Sequence, residues 1–173
     1  MKFLVIASSL ILFIINPIKA IDLKIAYIDT DKILNDSKSG KDIKKQLDSI
    51  NKKNILKFEK IEKELIEEEK KISQQKNILS KEELEKKIKT LQEKAIKFNN
   101  DVKNNKNNLF TKNKYATEKF LKTLNIILSD YASKNSIQII LQKKNIVIGR
   151  EDLDITSEIL TLVNEKIKNI KLQ

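Results

Sequence analysis

A chain of 173 residues with no histidine, no cysteine and only two glycines has little from which to build catalysis. An imidazole base, a thiol nucleophile, a soft-metal site and a Gly-rich phosphate loop are all excluded. Two carboxylate pairs, Asp29-Thr-Asp31 and Asp152-Leu-Asp154, have the spacing of hard-cation ligands. A calcium site, however, takes six to eight oxygens, and each pair precedes a helix-forming run, where an Asp oxygen accepts from a free backbone N–H. Helix capping is the preferred reading, so the sequence predicts no metal, no cofactor and no enzyme. Lysine is the other reactive type. Residues 41–134 hold 24 Lys against 15 Asp plus Glu, a net of +9, while 21–40 and 135–173 together hold nine basic and nine acidic residues. A segregated positive charge attracts anionic surfaces: acidic lipid or lipopolysaccharide, acidic polypeptide, or nucleic acid. No basic-aromatic interleaving for base stacking is present, which argues against nucleic acid.

Those lysines must be positioned by helices. Ile43, Leu47, Ile50, Phe58, Ile61, Leu65 and Ile72 form one apolar stripe, and Leu84, Ile88, Leu91, Ala95, Phe98 and Val102 form a second at heptad spacing. No Gly or Pro interrupts 41–134. Ser80 followed by Glu83 is a capping box, so a new helix starts there and the chain folds back near 77–80; a continuous coiled coil is the competing reading. This fold-back gathers Lys70, Lys71, Lys76, Lys81, Lys86, Lys87 and Lys89 at the tip, the candidate contact for an anionic partner. An antiparallel pair with its tip there gives facing residues that sum to about 159 or 160. That register sets Phe58 by Val102, Ile61 by Phe98, and Asn54 opposite Asn105, an amide pair that would fix the alignment of the arm. The six asparagines of 99–108 make a soft spot in the second helix.

The remaining segments read as a small body. Lys24-Ile-Ala-Tyr-Ile suits a strand, Asp29 to Asp31 cap a short helix, and 37–40 interrupt or cap it. Ser136-Ile-Gln-Ile-Ile-Leu and Asn145-Ile-Val-Ile-Gly suggest a β-hairpin closed by Gly149. Asp154 opens a last helix with Leu160, Val163, Ile167 and Ile170 on one face. The fold class is thus mainly α with a small β body (α+β), a long two-helix coiled-coil arm of 41–134 on a body of 21–40 and 135–173. Those 59 body residues are marginal alone and have strand edges to share, so association is expected. At the N-terminus, Lys2, the apolar run 3–15, Pro17 and Ala20 have the layout of a signal peptide spanning 1–20, cleaved after Ala20. A retained anchor needs about 18–20 apolar residues, more than this run supplies.

This order of parts resembles the Skp/OmpH family of periplasmic outer-membrane-protein chaperones: an exported precursor, the first strand Lys24-Ile-Ala-Tyr-Ile-Asp, a long basic hairpin, the strand Ile137-Gln-Ile-Ile-Leu, and a closing helix opened by Asp154-Ile155-Thr156. The resemblance implies a homotrimer whose strands form a shared barrel, with Ile25, Tyr27, Ile137, Ile139, Leu141 and Val147 in or near the interface. It also implies arms around a cavity that holds unfolded outer-membrane proteins without ATP. The very high Lys, Asn and Ile content departs from better-known members. The alternative function is a passive coiled-coil spacer of the envelope, which would not suppress aggregation of an unfolded protein.

Overall fold

Two strands that pair side by side are separated in sequence by the whole arm. The computed structural model describes residues 23–172; the expected signal peptide, 1–20, lies outside them. Strand β1 (Ile25–Ile28) leads through helix α1 (Thr30–Asp36) into α2 (Lys38–Gln75) and α3 (Lys81–Lys134), and strand β2 (Ile139–Gln142) follows. β1 and β2 are parallel, with Ile25 opposite Ile139 and Ile28 opposite Gln142. Parallel neighbours require a crossover, and here the crossover has been drawn out into the hairpin. The last helix is α4 (Thr156–Lys166).

Local chemistry sets the boundaries. Asp29 accepts from Lys32 N at 2.8 Å and caps α1. Two turns later the backbone of Ser37 is extended, and its Oγ accepts from Gly40 N at 3.1 Å, capping α2 so that it starts at Lys38, three residues before the expected start of the arm at 41. At the tip, Ser80 and Glu83 form both bonds of a capping box. α3 ends where Asn135 Nδ2 bonds Tyr131 O at 2.8 Å and Ser136 takes a left-handed φ of 55°. At about 1.5 Å per residue, α2 is about 57 Å long and α3 about 81 Å. The excess length of α3 therefore belongs to the body. Despite this length, no helix among the described residues is long and apolar enough to cross a membrane.

That overrun makes the core. Ala116, Phe120, Leu124 and Ile127 of α3 are buried against Ala26, Ile28, Ile33, Ile43, Ile155, Ile159 and Val163. The β-hairpin expected after β2 does not form. A 3₁₀ turn (Lys143–Asn145) replaces its bend, and Val147 and Ile148, in no strand, are 98% and 91% exposed. Gly149 closes no strand pair and serves instead to make room. A Cβ there would lie 2.9 Å from the Tyr27 ring, so glycine lets the loop press on that ring. The expected apolar face of the last segment is met at Val163, Ile167 and Ile170, but Ile159 takes the place of Leu160. Ile159 and Val163 are fully buried, Leu160 is only half-buried, and the helix ends at Lys166, leaving Ile167 and Ile170 to pack from an extended tail. Asp154 accepts from Thr156 N at 3.0 Å, although the position flanking α4 itself is Ile155.

Candidate functional site

Outside the body, the arm is held by a single seam. Along α2 it is half-buried or buried at Leu47, Ile50, Asn54, Phe58, Ile61, Leu65 and Ile72; along α3 at Leu84, Leu91, Ala95, Phe98, Asp101, Asn105 and Leu109. Asn54 Nδ2 donates to Asn105 Oδ1 inside this seam. Phe58 and Phe98 meet edge to face with ring centroids 6.0 Å apart. This corrects the expected facing of Phe58 by Val102. In its lower half the α3 stripe advances 98, 101, 105, 109, 112, 116, a spacing nearer 3.6 than 3.5, which turns Asp101 inward and leaves Val102 39% exposed.

The lysines expected at the tip are all exposed and are brought to one end by the fold-back. Lys87 Nζ bonds Gln75 Oε1 across the helices at 2.9 Å. Pairing the helices in register also shows where the net charge lies. The tip, 70–89, has seven Lys against three Glu; the middle, 58–69 with 90–101, has four Lys against eight acidic residues; the base, 41–57 with 102–122, has twelve Lys against three acidic residues. The arm is positive at both ends and negative between them. The middle band holds its own cross-helix ion pair, Lys94 to Glu68 at 2.7 Å. At the tip, the hydrogen bonds from the Ser80 side chain and backbone hold the Glu83 carboxyl below its ordinary range.

In the body, the residues expected at an oligomer interface are not all placed alike. Tyr27 is buried, Ile25 and Ile137 are half-buried, and Ile139 and Leu141 are 41% and 43% exposed on β2. β1 is bordered on its other side by a bridge from Tyr27 to Asp154, while the outer edge of β2 pairs with no strand of the described residues. Three of the four carboxylates considered as metal ligands have other partners, Asp29 as the cap of α1. Asp152 receives a bidentate pair from Arg150, at 2.9 and 2.7 Å, and Asp154 binds Lys143 Nζ at 2.9 Å as well as Thr156. Burial pushes the Asp154 carboxyl up, but the bonds from Thr156 and Lys143 outweigh it and hold the group below its ordinary value.

The model of the family described as outer membrane protein (OmpH-like) matches residues 24–163, most of the chain and every element from β1 into α4. The chain belongs to the OmpH-like family. Its fold is similar to a crystal structure from Caulobacter crescentus CB15 described as a candidate outer membrane chaperone (OmpH-like), with a TM-score of 0.82, 16% identity, and coverage of 87% of this chain and 89% of that one. At such identity the likeness concerns the fold. No curated protein matches significantly. Two positions that shape this OmpH-like chain carry only faint sequence signals. Gly40 is buried where α1 crosses α2, and a Cβ there would meet Leu34 O at 1.6 Å. Gly149 under Tyr27 is the other. They are the only two glycines in the chain, and that scarcity is the signal that each marks a close approach.

Proposed function

We propose that this OmpH-like protein is a periplasmic, ATP-independent holdase, not an enzyme, that keeps unfolded outer-membrane proteins from aggregating between its arms. The observation that carries this reading is the contrast in burial: a small packed body supports a hairpin whose first helix, α2, is about 57 Å long and leaves the body with its sides open to solvent. A spacer needs length alone. This arm also has a segregated charge and exposed Ile and Phe side chains, the surface of a protein that receives another chain.

Assembly belongs to the same proposal. Ile139, Leu141, Val147 and the unpaired edge of β2 offer an apolar strand edge to a second copy, and Ile25, Tyr27 and Ile137 would lie just behind it. A homotrimer would set three arms around one space. The positive base and the tip lysines, Lys70, Lys71, Lys76, Lys81, Lys86, Lys87 and Lys89, would draw in acidic polypeptide or an anionic lipid or lipopolysaccharide surface.

The test is light scattering after a urea-unfolded outer-membrane barrel is diluted into buffer with and without this protein. Suppressed scattering is expected, with no added nucleotide. Because screening shortens from about 10 Å at 0.1 M salt to about 3 Å at 1 M, the capture rate should fall across that range. Scattering that the protein leaves unchanged would favour the spacer.

A further inference from the structure

The chain continues past α4. Residues 164–172 lie beyond the stretch, 24–163, matched to the OmpH-like family, and they run from the last turn of α4 into an extended tail. The apolar residues of that tail turn inward: Ile167 and Ile170 are 6% and 4% exposed, and Leu172 packs against the same core. What the segment grips is the root of the arm. Asn164 Oδ1 accepts from Lys38 N at 2.8 Å, taking up a backbone donor that the first turn of α2 leaves free. Two turns further along α2, the Gln46 side chain pairs with the tail as a neighbouring strand would. Its Nε2 donates to Ile170 O at 3.0 Å, and its Oε1 accepts from Leu172 N at 3.3 Å. A second bond from Nε2, to Asp42 Oδ2 at 2.8 Å, holds the amide in the orientation the tail requires. Lys166 also reaches Asp130 on α3 at 3.5 Å, an exposed pair that adds little.

We propose that residues 164–172 are a brace that fastens the root of α2 to the body and so sets the direction in which the arm leaves it. The arm stands on two legs. α3 is rooted in the core by Ala116, Phe120, Leu124 and Ile127, whereas α2 leaves the core after Ile43 and Leu47. A rod fastened at one point pivots, and a rod fastened at two has a fixed line. The two fastenings on α2, at Lys38 and Gln46, are about 12 Å apart along the helix axis. From Lys38 to Gln75 is about 56 Å, so a slip of about 3 Å at Gln46 would carry the tip sideways by about 14 Å. The brace also opposes sliding. A two-helix ribbon bends in its own plane only when one helix slips lengthwise along the other, and the asparagines of 99–108 mark where α3 yields most easily. With α2 clasped at its root that slip is blocked; with the tail released, the ribbon stands on α3 alone. The clasp lies at a chain end, where local opening costs least, so it can let go while the rest of the body stays folded. This device needs no client and stands whether or not the chain is a holdase.

The test follows two distances within one chain. The protein has no cysteine, so spin labels go only where thiols are introduced: at the exposed positions Glu67→Cys and Glu158→Cys for arm to body, and at Lys122→Cys and Glu158→Cys for a control inside the body. Labelled chains are diluted into an excess of unlabelled ones, so that no distance between copies contributes. Each pair is read in the intact chain, in Gln46→Ala with Asn164→Ala, and in a chain ending at Lys168. The intact chain should give a narrow distribution for both pairs. In the two altered backgrounds the arm-to-body distribution should become about twice as wide while the control stays narrow. Lys168→Ala with Lys171→Ala, which changes only the exposed side of the tail, should leave both as they were. The double alanine variant keeps every buried apolar side chain, so it decides the matter even where loss of Ile170 unfolds the shortened chain. An arm-to-body distribution as narrow in that variant as in the intact chain would overturn the brace and leave the direction of the arm to the α3 root. Equal broadening of both pairs would overturn it also, by showing a general loosening of the body.

Discussion

Phe120 and Phe98 stand on the same helix, six turns apart, in two kinds of environment. Phe120 is fully enclosed by α1, α4 and the sheet, whereas Phe98 meets Phe58 edge to face in a seam with water on both sides. A packed core is stabilised from all directions, and a two-helix ribbon only along one line. The body is therefore expected to be the more resistant part, and the arm the one that opens first. Truncation should expose this difference most clearly. Phe120→Ala is expected to cost about 3–5 kcal/mol, enough to unfold a small body, while the half-buried Phe98→Ala costs about 1–2 kcal/mol. Urea melts followed by circular dichroism would separate the two; equal losses would erase the distinction.

Gly40→Ala comes next in size. The added carbon would collide with the backbone carbonyl of Leu34, which no rotamer change can relieve, so a loss of about 3 kcal/mol from the body is expected. A neutral result would mean that α1 and α2 have room to move apart at their crossing. Smaller still is the amide pair in the arm. Asn54→Leu alone leaves the Asn105 amide without its partner and should cost about 1 kcal/mol, whereas Asn54→Leu with Asn105→Leu should recover or exceed the original stability while loosening the register. Distances between spin labels on α2 and α3 would report that loosening; a unique register in the double variant would deny the pair its aligning role.

The mildest effect is acidic. With the Asp154 carboxyl held below its ordinary value of 3.8, its bonds to Thr156 and Lys143 stabilise the body at neutral pH and are lost as pH falls through the depressed value. Asp154→Asn should flatten that acid limb for the body and leave melting of the arm unchanged. A body equally acid-sensitive in the variant would place the titrating group elsewhere.

The arm was the more legible region. Ser80 and Glu83 fixed the start of α3 because a capping box is local chemistry, and the α3 stripe from Leu84 to Phe98 followed from helical period, which misplaced its last member, Val102. The amides of Asn54 and Asn105 could be set opposite each other by counting from the tip. What could not be read locally was long-range. Residues 145–149 have the composition of a strand, yet Gly149 is taken by the Tyr27 ring and the partner of β2 comes from before the arm. On α4 Ile159 took the place expected for Leu160, because neighbours on α1 and α3, not the helix's own period, decide which side of its first turn is buried. The uneven charge of the arm needed the helices set in register before it became visible.

If the body holds the assembly while the arm does the chaperoning, the two roles should come apart when the arm is shortened symmetrically. The most direct measurement deletes 58–101 and rejoins 57 to 102 through a Gly-rich turn, so that the remaining seam keeps its register. Scattering from a urea-diluted outer-membrane barrel is then recorded beside the sedimentation of the shortened chain. The expected result is an assembly of unchanged subunit number that no longer prevents aggregation; a shortened chain that suppresses scattering as well as the full one would contradict this division of roles.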